Sequence, residues 1–174
     1  VAWKYLQTYP NFIEEFYLQT KKIITFINKK GIHHNDAHLG NFVVDNRNNV
    51  YLTDFGLSMD KEFNLDIIEK EFFKNNKKLD VIYIQDNILS NYINKCLNNQ
   101  KIYKLHNLDL YKSSIELTEY LLEKIDELKI MARITTFEMR FIKKNKHFLV
   151  NYIRWKRNFK EAKNKNNYYS NMLK

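Results

Sequence analysis

The residues best suited to chemistry lie in one stretch, His33-His34-Asn35-Asp36-Ala37-His38-Leu39-Gly40-Asn41, with Asp54-Phe55-Gly56 a little further on. Asp36, Asn41 and Asp54 all carry acceptor oxygens. If the residues between them fold back, an amide oxygen and a carboxylate come together as hard ligands of the kind Mg²⁺ takes beside phosphate oxygens. A second carboxylate, not committed to metal, can accept or orient a hydroxyl proton. Phosphoryl transfer asks for little else from this side of a site, because its catalysis is positioning plus charge neutralisation. A rival use of the same stretch is a metallohydrolase cluster of His33, His34, Asp36 and His38. That chemistry needs a further distant ligand, and neither His106 nor His147 sits in a convincing motif.

The elements that would position these residues follow from apolar spacing. Phe12, Ile13, Phe16, Ile23, Ile24 and Ile27 recur at helical intervals, and Pro10 suits a first turn while Gly31 suits a C-terminal stop. A helix is expected over residues 10–30. Two β-like runs, Phe42–Asp45 and Val50–Thr53, flank Asn46-Arg47-Asn48-Asn49, so a hairpin should join the two halves of the polar constellation. Residues 58–78 carry only weak helical periodicity. Residues 79–97 are apolar on most sides, which predicts a buried helix. Ser113-Ser114-Ile115-Glu116 reads as a capping box opening a long pattern through Leu117, Leu121, Ile125, Leu128 and Met131. Phe148, Tyr152, Trp155 and Phe159 form a last stripe. The chain therefore reads as mainly α with one small β-hairpin.

At this point the residues carry a resemblance. His34 to Asn41 matches the H-x-D-x-x-x-x-N catalytic loop of the protein-kinase-like superfamily, and Asp54-Phe55-Gly56 matches its D-F-G, in the family's order and across a hairpin. The resemblance implies that Asp36 is the catalytic base and that Asn41 and Asp54 are the two Mg²⁺ ligands. It implies that His34 braces the D-F-G turn with Phe55 as its packing partner, and that Val43 floors the adenine pocket. Asp80 would match the family's anchor for the catalytic-loop backbone. The expected cofactors are ATP and Mg²⁺.

The departures from the family pattern narrow the reading. Asn35 replaces the Arg that many protein kinases carry, so switching by loop phosphorylation is not expected. His38 stands where protein Ser/Thr kinases usually have a phosphate-neutralising Lys. With Gly40 it is more similar to small-molecule kinases of the aminoglycoside phosphotransferase type. An A-P-E element is impossible, since Pro10 is the only proline. All three glycines, Gly31, Gly40 and Gly56, fall within residues 31–56, which leaves no Gly-rich phosphate loop. The resemblance is thus to a C-terminal lobe, with the N-lobe absent from this chain. The expected function is ATP-dependent phosphoryl transfer to a hydroxyl on a protein Ser or Thr. The alternatives are a small-molecule or sugar kinase and a catalytically silent, pseudokinase-like binding module.

Charge and composition set the remaining bounds. The formal net charge is +9 over 174 residues. Residues 1–139 carry 18 basic and 19 acidic side chains, whereas residues 140–174 carry 11 and one. This excludes a uniformly cationic nucleic-acid domain. The expected organisation is a kinase-like C-lobe over 1–139 and a basic helical extension of the same domain over 140–174. That extension either solvates its lysines or meets an acidic partner or anionic surface. The longest apolar run is the four residues 81–84, too short for a transmembrane segment. A lone Cys96 offers no disulfide partner, reads as core filler and fits a reducing compartment or indifference to redox; with no transmembrane segment the expected location is cytoplasmic. Val rather than Met at position 1 suggests a piece of a longer or processed chain.

Overall fold

The computed structural model describes residues 1–111 and 113–161, with side chains as far as Arg154 apart from Ser114. Its contacts gather into two units, residues 1–85 and residues 86–160. In the first, helix α1 (Ala2–Thr8) and a 3-10 turn at Pro10–Phe12 precede α2 (Ile13–Lys29). Pro10 opens the 3-10 turn, where no amide donor is required. Ile13, Phe16, Thr20, Ile24 and Ile27 form the buried stripe of α2. Phe16 meets Phe42 edge to face at 5.6 Å, and burying a ring of that size contributes about 2 kcal/mol. The chain leaves the helix at Gly31, whose amide donates to the Asn28 carbonyl at 3.0 Å and whose φ of +84° turns the chain away from the helix. A Cβ there would also collide with the side chain of Lys61.

Strands β1 (Ile32–His33), β2 (Phe42–Val44), β3 (Val50–Leu52) and β4 (Met59–Asp60) follow. The expected hairpin is the antiparallel pair β2–β3, in the register Phe42 to Leu52, Val43 to Tyr51 and Val44 to Val50. Its turn is held by Asp45, whose carboxylate accepts the amides of Arg47 and Asn49, each at 2.8 Å, and the Asn49 side chain at 2.9 Å. Gln19 stitches that turn to α2 through the Asn48 carbonyl at 3.0 Å and the Val50 amide at 2.9 Å. The reading of a single hairpin needs correction. β1 and β4 form a second antiparallel sheet, pairing Ile32 with Asp60 and His33 with Met59. Two-residue strands so far apart in sequence carry no alternation that a sequence reading could register.

The weakly patterned region 58–78 contains α3 (Ile67–Asn75), started by a full capping box between Asp66 and Glu69. Helix α4 spans Leu79–Leu97 as expected, and the boundary between the units falls within it.

The second unit is helical. α5 (Gln100–Leu105), α6 (Ser114–Glu123), α7 (Ile125–Leu128) and α8 (Thr136–Glu161) supply its core with the end of α4. Ser113 Oγ accepts the Glu116 amide at 3.2 Å, as its capping role requires. The long helix expected beyond it is broken at Lys124, although Leu121, Ile125 and Leu128 all remain buried. Glu138 is fully buried and takes Lys95 at 2.7 Å on each oxygen, together with Asn91 at 2.8 Å. Burial pushes the Cys96 thiol up to about 12, which fits core filler. In α8, Lys143 pairs with Asp126 at 2.6 Å and Arg154 pairs with Glu119, so carboxylates of this unit engage part of the basic segment. Phe148 and Tyr152 stack at 6.4 Å. The Trp155 and Phe159 side chains of the expected stripe, and residues 162–174, lie outside the described residues. Among the described residues no helix is long and apolar enough to cross a membrane.

Asn49, through its side chain and then its amide, holds the Asp45 carboxyl down at about 2. A depressed carboxylate contributes stability above its ordinary value of 3.8 and loses it as pH falls toward the folded value. Protection of the hairpin amides, taken as their exchange rate relative to that of an unstructured peptide at the same pH, is therefore expected to fall between about pH 4 and pH 2, and Asp45→Ala should show low protection already at neutral pH. An acid-insensitive hairpin, or one that Asp45→Ala leaves intact, contradicts this assignment.

Candidate functional site

The two small sheets together decide where the polar constellation goes. The segment 34–41 runs from β1 to β2, and the segment 53–58 runs from β3 to β4. The β2–β3 register sets Asn41 against Thr53, and the Thr53 amide and hydroxyl both reach the Asn41 carbonyl, at 2.8 and 3.0 Å. The β1–β4 register sets His34 against the other end, where the Asn35 side chain donates to the Leu57 carbonyl at 3.1 Å. The segments are thus fastened alongside one another at both ends.

His34 is the link between them. It is fully buried, and its ring Nε2 lies 2.9 Å from the Thr53 carbonyl while its edge meets Phe55 at 4.9 Å. Its main-chain N–H donates to Asp80 Oδ2 at 2.8 Å. Asp80 is 2% exposed, and its Oδ1 is buried without a hydrogen bond of normal geometry. Burial pushes the Asp80 carboxyl above its ordinary range, with the His34 amide pulling the other way. The carboxylate at the start of α4 thereby holds the beginning of the 34–41 segment.

Within that segment Asn41 is buried, and its Nδ2 donates to both the main-chain carbonyl and the Oδ2 of Asp36, each at 2.9 Å. Both bonds use the amide nitrogen, which leaves Oδ1 as an oxygen donor. His38 Nε2 lies 3.5 Å from Asp36 Oδ2, and its Nδ1 accepts the Gly40 amide at 2.9 Å. Asp36, His38 and Asn41 are therefore one cluster. Asp54 follows Thr53 directly, is exposed, and accepts the Gly56 amide only at 3.4 Å. Asp54 thus carries a weakly engaged carboxylate and Asn41 a spare amide oxygen, the donor types that Mg²⁺ takes beside phosphate oxygens. Val43 lies on the outer face of the hairpin beside Tyr51, with 37% and 51% exposure, opposite buried Phe42.

The left-handed backbone positions of the site are Asp54, with φ of +60°, and Asn35, at +64°, rather than Gly56. Asn and Asp tolerate this region better than other side-chain-bearing residues. The histidines do not form the rival metal cluster. His33 is buried and stacks flat on Phe73 at 4.0 Å, and His34 is turned to Thr53. Among the described residues no three His, Cys, Asp or Glu side chains gather at metal-holding distances. In the second unit His106 pairs with the Tyr120 hydroxyl at 2.6 Å. The residue that sequence reasoning missed is Thr53, whose main chain serves both His34 and Asn41. Its signal is only its place at the foot of β3.

A carboxyl raised by burial costs stability as pH climbs above 3.8 toward its folded value. Asp80→Asn keeps an acceptor for the His34 amide without that charge, so in urea denaturation it should match or exceed the wild type at neutral pH. Asp80→Ala should lose about 1–3 kcal/mol for the orphaned amide. Equal losses in the two variants would contradict the anchoring role. No protein-family model, curated protein or solved structure matches the chain.

Proposed function

We propose that this chain carries the catalytic segment of a protein-kinase-like phosphotransferase that moves the γ-phosphoryl of ATP to a hydroxyl. The observation that supports this most is the cluster of Asp36, His38 and Asn41 fastened through Thr53 to Asp54. On this reading Asp36 takes the hydroxyl proton while Asn41 and Asp54 hold Mg²⁺, which neutralises the phosphate oxygens. The Asp80 bond to the His34 amide and the His34 contact with Phe55 are the bracing interactions that such a loop needs. The exposed Val43 face suits an adenine ring.

A protein hydroxyl, on Ser or Thr, is the acceptor we favour. Beyond Asp54-Phe55-Gly56 a cavity of about 330 Å³ is lined by Ser58, Met59, Phe63, Leu65, Ile68, Phe72 and one charged residue, Glu69. Phe63 and Ile68 of that lining are 57% and 62% exposed, and Leu57 and Ile67, close by in sequence, are 66% and 86% exposed. Such an apolar strip suits a polypeptide better than a sugar. The second reading, a small-molecule hydroxyl, rests on His38 in place of a lysine. ATP as donor agrees with a cytoplasmic site of action.

In the full-length protein, Asp54→Ala should abolish Mg²⁺-dependent transfer from ATP. Asp36→Ala should reduce it by about 10²- to 10⁴-fold. The assay offers protein acceptors, a sugar and aminoglycoside panel, and water. Label on protein supports the favoured acceptor, and label on a small molecule supports the second reading. Undiminished transfer in both variants overturns the catalytic assignment, and nucleotide binding with no transfer from the wild type points to a silent binding module.

A further inference from the structure

Gly40 has a negative φ, so a glycine is not needed there for its backbone. What requires it is His38. A Cβ on residue 40 would lie 2.5 Å from His38 Cε1 and 2.8 Å from Nδ1, and the three atoms nearest to it all belong to that ring. The imidazole is folded back over the Gly40 amide, whose N–H points at Nδ1. An Nδ1 that accepts leaves Nε2 as the ring's N–H in the neutral form. Nε2 is the atom that faces Asp36 Oδ2. The same Oδ2 takes the Asn41 Nδ2 bond.

We infer that Gly40 and His38 are a positioning pair that commits Asp36 Oδ2 to the loop and leaves Oδ1 as the oxygen offered to the acceptor. This rests on the reading of Asp36 as the base. The acceptor's O–H proton passes to Oδ1 as its oxygen bonds to the γ-phosphorus, and the bond from that phosphorus to the departing ADP oxygen breaks. His38 touches neither reactant. It keeps the carboxylate plane from rotating, and a small misplacement of a reacting group is costly in rate. The side chain of His38 is 48% exposed, so it can swing away without disturbing the core. Gly40→Ala thus unseats the ring at little cost to folding.

The test is a cycle of His38→Ala, Gly40→Ala and the double variant in the full-length protein, read by NMR, thermal unfolding and steady-state kinetics. Each single variant should lower kcat on the order of 10- to 100-fold with KM for ATP unchanged. The double variant should be no worse than His38→Ala alone. His38→Gln, which can return an N–H near the Nε2 position, should recover activity, whereas His38→Asn should not. The Gly40 amide proton should shift markedly in His38→Ala, a readout that needs no activity. A further loss when Gly40→Ala is added to His38→Ala overturns the pairing, as does an unmoved Gly40 amide. A shifted amide with undiminished kcat in His38→Ala overturns the role for Asp36. A shifted amide in His38→Ala, together with a wild-type protein that transfers no phosphoryl group, supports the seating and counts against the phosphotransferase reading alone.

Discussion

A main-chain N–H buried beneath a loop must find an acceptor or forfeit the free energy of a hydrogen bond. At His34 that acceptor is a carboxylate, Asp80. The arrangement is costly, since burial raises the Asp80 carboxyl above its ordinary range, and in return it fixes one point in space. From that point the His34 ring reaches the Thr53 carbonyl, and Thr53 reaches Asn41. The first unit thus has a short covalent and hydrogen-bonded circuit running from α4 through both polar segments. Remove the acceptor at Asp80 and the circuit loses its fixed end.

The circuit also explains where conformational strain is spent. Asn35 and Asp54 are both left-handed, next to His34 and Thr53 respectively. A side-chain-bearing residue held in such a region costs about 1 kcal/mol or more, and it persists only where its neighbours over-determine it. Here those neighbours are the two residues the circuit ties down. Asn41 completes the same logic from the interior, using its amide hydrogens on Asp36 and sparing its oxygen. Rigid sheets at both ends keep this geometry on so short a stretch of chain. A site supported by main-chain bonds needs few large side chains, which is why the scaffold around it is small.

Much of this was legible in the residues and some was not. The hairpin showed itself because Asn and Asp crowd its turn and the flanking runs, Phe42-Val43-Val44 and Val50-Tyr51-Leu52, are rich in β-branched and aromatic residues. The spacing of Asp36 and Asn41 within one loop pointed to a polar cluster, and the two do hydrogen-bond, with His38 beside them. The β1–β4 sheet was invisible, since two-residue strands bring no pattern, and its pairing is decided by the loops it closes. Helix α3 carried its capping pair, Asp66 and Glu69, in plain view, but weak amphipathicity masked it. The left-handed backbone at Asp54 was hidden, because an aspartate in such a position looks like any other aspartate in sequence. The break at Lys124 has neither Gly nor Pro to announce it.

The proposed function stands on Asn41 and Asp54 holding one cation beside Asp36. Manganese in place of magnesium, added with a non-hydrolysable ATP analogue to the full-length protein, tests it directly through paramagnetic broadening. The amide signals of Asn41 and Asp54 should broaden first, and those of Asp36 and Thr53 next. Broadening centred elsewhere, or an even loss across the chain, would contradict it.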